Sequence, residues 1–253
     1  MIVLGMGRVG GALVARARAR GVEVAAVDRS SGDEALSHHA GPILVCTRND
    51  DLDDVLRRVP ERRHSELVLV QNGMLRDWVA ARGLAETTRG LLFFAVSSRG
   101  APLEPGPPSP FTGPWASAVV AFLRAIEVPA EVVDAATFGR GEVEKLLWNV
   151  CFGLVCDLHK KPVGDVVTHH RADLAALVTE LLPVAEASVG VTVALAPLVD
   201  RMCAYSLQIP RHRAAVKAWS WRNGWFVDAA TRQGIVTPVH DRMLRATGHA
   251  RGG

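Results

Sequence analysis

Hydrophobic and polar positions follow two regimes along the chain. Up to about residue 138, short apolar runs recur at 1–4, 22–27, 42–46, 66–70, 91–97 and 131–133. Each is bounded by glycine, asparagine, aspartate or proline, and runs of this length and setting predict buried strands. Between them, 12–20, 51–58, 74–82 and 115–126 carry the 3–4-residue apolar spacing of amphipathic helices. The stretch 101–114 holds six prolines and reads as an irregular loop. From residue 142 onward strand alternation disappears and helical periods cover 142–158, 171–189, 195–207, 211–233 and 238–246. Strands alternating with helices and then helices alone predict an α/β domain over 1–138, built on a parallel sheet, followed by an all-helical domain over 139–253. Internal repeats and low-complexity tracts are missing from the sequence.

The first strand runs straight into Gly5-Met6-Gly7-Arg8-Val9-Gly10 and a helix. Gly5 permits a tight turn, Gly7 lets the backbone approach a pyrophosphate, and Gly10 lets the helix pack on the strand, with the helix N–H groups facing the anion. That helix stops at Gly21, a second strand follows, and Asp28 closes it 18 residues after Gly10, where a carboxylate accepts a ribose 2′-hydroxyl. The alternative is a glycine-rich turn that binds no nucleotide. Arg29-Ser30-Ser31 offers groups for a 2′-phosphate instead, so the residues leave NAD(H) and NADP(H) both open. Arg48, after the third strand, stands at the sheet edge where such folds bind ligands.

Composition narrows the picture. A net charge of +3 with scattered basic residues excludes the clustered footprint of a nucleic-acid binder. Cys46, Cys151, Cys156 and Cys203 lie in apolar runs without metal-ligand pairing and read as reduced core residues, which suits a cytoplasmic protein. The start of the chain is no secretory leader, and apolar runs fall short of the roughly 18 residues of a membrane span. Nine histidines include His38-His39 and His169-His170, yet their spacing suggests no metal site. The chain has four lysines, Lys145, Lys160, Lys161 and Lys217, against 25 arginines. A lysine kept under such a bias points to a need for an amine that can give up its proton.

The residues resemble the ketopantoate reductase family of NAD(P)-dependent 2-oxo-acid reductases. The resemblance rests on Gly5-x-Gly7-x-x-Gly10, Gln71-Asn72-Gly73, Lys145-Leu-Leu-Trp-Asn149, the segment from Ser206 to Arg222-Asn223-Gly224, and Gly234-Ile-Val-Thr-Pro238, in that order. It implies a Rossmann-type domain over 1–138 and a helical substrate and dimerisation domain of the 6-phosphogluconate dehydrogenase C-terminal type over 139–253. It implies Lys145 as the acid that protonates the carbonyl oxygen, with Asn72 and Asn149 orienting it. Ser206, Lys217 and Asn223 would bind substrate. Gly5, Met6, Gly7, Arg8, Val9, Gly10, Asp28, Arg29, Arg48 and Asn72 would hold the cofactor, which family habit makes NADP(H). No metal, membrane or nucleic acid is implied, and a homodimer is.

Two positions depart from the pattern. The family's acidic substrate-binding residue falls on Ala218, beside Lys217, and a second asparagine falls on Gly153. A pocket without that carboxylate points to a small 2-oxo acid or related carbonyl compound other than ketopantoate. The same losses leave a second reading, a reductase-like protein that binds NAD(P) as a sensor or interaction module without turnover.

Overall fold

The computed structural model describes residues 1–249, and the chain divides into two compact units, Met1–Phe138 and the part from Gly139 onward. In the first unit the strands are β1 (Ile2–Leu4), β2 (Ala25–Val27), β3 (Ile43–Val45), β4 (Leu67–Leu69), β5 (Thr88–Gly90), β6 (Ser109–Thr112) and β7 (Ala130–Val132). They form one sheet in the order β2-β1-β3-β4-β5-β6-β7. All neighbours are parallel except β5 and β6, and register aligns Val3 with Ala26 and Leu44, and Leu44 with Val68. β1, β3 and β4 are buried on both faces, which is why they read as unbroken apolar runs. Helices α1 (Arg8–Ala19), α2 (Glu34–His38), α3 (Leu52–Arg58), α4 (Arg76–Ala81) and α5 (Ala116–Ala125) belong to this unit. Leu13, Leu44, Val68, Phe111, Val119 and Leu123 share one core.

Two expectations fail here, for one reason. The apolar run at 91–97 is not a strand, and the proline-rich loop contains one. Gly90 ends β5 beneath Phe111, whose ring would lie 2.2 Å from any Cβ at that position, so this glycine pairing sets the register and leaves the apolar run outside it. Of the run, Ala95 keeps a single bridge to Glu104. Pro110 lies within β6, and its carbonyl accepts from Leu91 N (3.0 Å) just past the end of β5.

The second unit is helical. α6 (Ala135–Leu147) enters it, a π turn spans Trp148–Phe152, and α7 (Gly153–His159), α8 (Val163–His169), α9 (Arg171–Val189), α10 (Leu195–Gln208), α11 (Asn223–Gln233) and α12 (Pro238–Ala246) follow. The expected helix over 211–233 is broken. Its first half is irregular because Val163 N donates to His212 O (2.9 Å) and Gly164 N to Pro210 O (3.1 Å), while Val216 N donates to Asp157 Oδ2 (2.8 Å). The two unpaired N–H groups that open α8 thus take carbonyls which a continuous helix would use. Ala218 then adopts a left-handed conformation (φ 47°), and a short 3₁₀ turn at Trp219–Trp221 leads into α11.

Candidate functional site

The first unit gathers its glycines at the carboxyl edge of the sheet. Gly5 has φ +102°, and a Cβ there would lie 2.9 Å from Thr47. A Cβ on Gly10 would lie 2.1 Å from Gly5 O, so α1 sits against the turn as closely as backbones allow. Gly7 has open space above it, and α1 begins with no side-chain cap and no acid in its first turn. That leaves positive N–H groups facing the opening. The cleft in front measures about 500 Å³ and is lined by Gly5, Met6, Gly7, Asp28, Arg48 and Arg99, among others.

Asp28 stands at the end of β2, held by four donors on one carboxylate oxygen: Ser30 N (2.8 Å), Ser30 Oγ (2.7 Å), Ser31 N (2.9 Å) and Ser31 Oγ (2.9 Å). These bonds push its pKa down to about 2, so the group is a fixed anion at neutral pH. Two of the nearby cations are engaged. Arg29 pairs with Asp51 (2.7 Å), and Arg58 bonds Asp28 O and Asp33 Oδ1 (both 2.8 Å). Thr47 Oγ1, in the lining of the cleft, is buried without a hydrogen-bond partner. The glycine cradle, the open space at Gly7 and the anionic Asp28 together fit the pyrophosphate and ribose of a dinucleotide. The remaining predicted cofactor positions, Arg8, Val9 and Asn72, lie in α1 and after β4. Asn72 is exposed, and its carbonyl accepts from Asn49 Nδ2 (3.0 Å).

Sequence reasoning missed Ser30 and Ser31 as the holders of Asp28, although an Asp followed by two serines is an Asx-turn signal. Gln71, singled out only as part of a motif, donates to Val45 O (2.8 Å) and ties β3 to the end of β4. Arg58 and Arg99 gave no local signal, since tertiary folding brings them to the cleft.

In the second unit Lys145 occupies the last turn of α6, just before the π turn, a helical irregularity that recurs at functional sites. Asn149 Nδ2 donates to Lys145 O (2.7 Å), which fixes the asparagine on the lysine's backbone. Burial, and then the charge of Arg222, push the Lys145 pKa down to about 7. The adjacent Glu144 pairs with Arg201 (2.7 Å).

The predicted substrate residues occupy different settings. Ser206 is fully buried, donates to Met202 O (2.9 Å) and accepts from Trp148 Nε1 (3.0 Å); its hydroxyl is part of the core and unavailable to a ligand. Lys217 is exposed, and its charge bears on His212. The cation that bears on Lys145 is Arg222. Asn223 is buried, with Oδ1 2.9 Å from His240 Nε2. At Gly153 a Cβ would lie 2.9 Å from Ala215 O, so the close approach of the 211–218 segment leaves no room for an asparagine. One cluster went unseen in the sequence. His159 Nε2 bonds Asp173 Oδ2 (2.8 Å), and His170 stacks on His159 at 3.6 Å and 13°. One ligand atom from each of His159, His170 and Asp173 lies within 4.8 Å of the others, a grouping that could hold a metal ion and that the histidine spacing in the sequence did not suggest.

A dinucleotide-type α/β domain followed by a helical domain is the fold of the ketopantoate reductases, and the chain has that fold. It matches along nearly its whole length, at low identity. A D-mandelate dehydrogenase solved with NADH and anilino(oxo)acetate superposes with a TM-score of 0.78 at 14% identity, over 98% of this chain and 97% of that one. A 2-dehydropantoate 2-reductase from Geobacter metallireducens gives 0.75 at 17%, over 98% and 99%. A dimeric ketopantoate reductase from Staphylococcus aureus gives 0.71 at 14%, over 97% of each chain. No protein-family model matches the sequence, and no curated protein matches it. Among the described residues, no helix is long and apolar enough to cross a membrane.

Proposed function

We propose that the chain is a nicotinamide-dependent oxidoreductase that reduces a small 2-oxo acid or related carbonyl compound to the hydroxy compound. The observation that carries this reading is Lys145, a lysine whose amine titrates near neutrality, in a chain that also builds a dinucleotide cradle. Gly5, Gly7 and the first turn of α1 bind the pyrophosphate, and Asp28 accepts the ribose hydroxyls. When bound, the reduced nicotinamide supplies the hydride. Lys145 Nζ gives its proton to the carbonyl oxygen as negative charge develops there, and Asn149 fixes the backbone from which it reaches. Asn72 is assigned to the nicotinamide ribose.

The surroundings of Asp28 support NAD(H) over the NADP(H) that the family resemblance implies. Arg29, Arg58, Ser30 and Ser31, the groups that would meet a 2′-phosphate, are committed to carboxylates or to the Asp28 turn, and Asp28 itself repels the phosphate. The unpaired cysteines favour the cytoplasm, and the dimeric staphylococcal neighbour favours a homodimer, which light scattering tests.

Titration with NADH and with NADPH, followed by quenching of the six tryptophans, tests the cradle. NADH is expected to bind in the micromolar range and NADPH at least roughly tenfold more weakly. Lys145→Ala is expected to keep that binding and lose roughly 10²- to 10⁴-fold in turnover. Failure of both cofactors to bind overturns the reading. Tight binding with no turnover on a broad carbonyl panel favours a sensor instead.

A further inference from the structure

Helix α11 opens on an arginine. Its N-cap is Arg222, it has no capping side chain, and its first turn contains no acid. The helix end is therefore electropositive. A Cβ on Gly224 would lie 2.4 Å from Trp219 Nε1, so an indole lies against the first turn. Arg222 is half-buried, and its Nε is sealed from solvent with no hydrogen-bond partner. Asn223, 1% exposed, has its oxygen held by His240 and its Nδ2 buried without a partner. Burial pushes the His240 pKa down to about 4, so that ring is neutral and adds no charge. The guanidinium also bears electrostatically on Lys145.

Buried donors without acceptors are costly, and a buried guanidinium most of all. The arrangement asks for an anion of matching shape. The Nε edge of a guanidinium grips a carboxylate through two parallel bonds. In a 2-oxo acid the carbonyl is on the carbon next to the carboxylate, so two neighbouring cations, one to bind and one to donate a proton, match that substrate. We propose that Arg222, with the N-terminus of α11 and the amide of Asn223, binds the substrate carboxylate and makes the enzyme selective for 2-oxo acids over their esters, amides and simple ketones. This assignment rests on the reductase reading. It also gives the carboxylate a second effect: by neutralising Arg222 it lets the Lys145 amine hold its proton to higher pH, so substrate binding readies the acid.

The test compares wild type, Arg222→Gln and Arg222→Lys, each loaded with NADH, on the best 2-oxo acid of a panel and on its methyl ester. Binding of oxamate, an unreactive 2-oxo-acid mimic, is measured in parallel by tryptophan quenching. For Arg222→Gln, KM for the acid is expected to rise roughly 30- to 100-fold and oxamate binding to weaken equally, while the ester changes less than about threefold. Arg222→Lys, which keeps the charge and the fold but loses the fork, is expected to fall between. With the ester, the alkaline limb of kcat/KM moves to higher pH in Arg222→Gln, a change that a merely structural role does not produce. Equal losses on acid and ester, or undiminished oxamate binding, overturn the assignment. Wild-type protein that reduces neither compound overturns the reductase reading, and oxamate binding then still decides whether Arg222 holds a carboxylate.

Discussion

Lys145 and Arg222 show how far single residues were legible. Lys145 stood out because lysine is scarce in an arginine-rich chain, and the structure gives that amine an environment that brings its pKa to about 7. Asp28 was legible from spacing alone. Arg222 was not, because its effect depends on burial and on a neighbour far away in sequence. Ser206 was misread: a serine inside a helix commonly bonds back to the carbonyl four residues earlier, and this one does so at Met202. The lysine assignment has a pH signature. Reduction needs the protonated amine, so kcat/KM for reduction is expected to be flat below pH about 7 and to fall tenfold per unit above it. Oxidation of the product needs the neutral amine and is expected to rise up to the same pH and then level off. Rate profiles from pH 5.5 to 9 in both directions check this, and parallel rather than mirrored limbs would remove Lys145 from the proton transfer.

At the scale of elements, periodicity located most of the helices and central strands but not the places where contact between backbones overrides it. α9 and α12 fall where their apolar spacing puts them. The 91–97 run and the 211–233 helix do not, because Gly90 under Phe111 and the N-terminus of α8 under Pro210 fix the chain by contacts that no local pattern encodes. The same logic governs α7. Gly153 opens it within van der Waals reach of the Ala215 carbonyl. Gly153→Asn, which restores the asparagine of the resembling family, is therefore expected to destabilise the protein by about 1–3 kcal/mol through overpacking and to bring no gain in turnover with ketopantoate. Thermal unfolding and a ketopantoate assay together check this. A variant of unchanged stability would show that the 211–218 segment yields freely.

At the scale of the whole molecule, 14–17% identity coexists with TM-scores of 0.71 to 0.78 in the three structures compared. What the chains share is the fold, and its alternation of strands and helices followed by helices alone was readable in the sequence. Substrate choice was not, since one fold serves many sites and the residues proposed to set it here lie in an irregular segment and a helix cap. Stability is tied to a neighbour of that cap. His240 is fully buried, bonded to Asn223, and its pKa is pushed down to about 4 from the usual 6.5. Above pH 6.5 the ring is neutral in both folded and unfolded chains and costs nothing. Below it the unfolded chain takes up a proton that the folded chain refuses, so stability drains away between pH 6.5 and about 4 and levels off beneath. The full loss amounts to roughly 3 kcal/mol, a large share of a typical folding free energy. Urea unfolding of wild type and His240→Gln at pH 7 and pH 4.5 measures it. The variant starts lower, having lost a fitted ring, but is expected to lose less on acidification than wild type. Equal losses in the two proteins would place the acid sensitivity elsewhere.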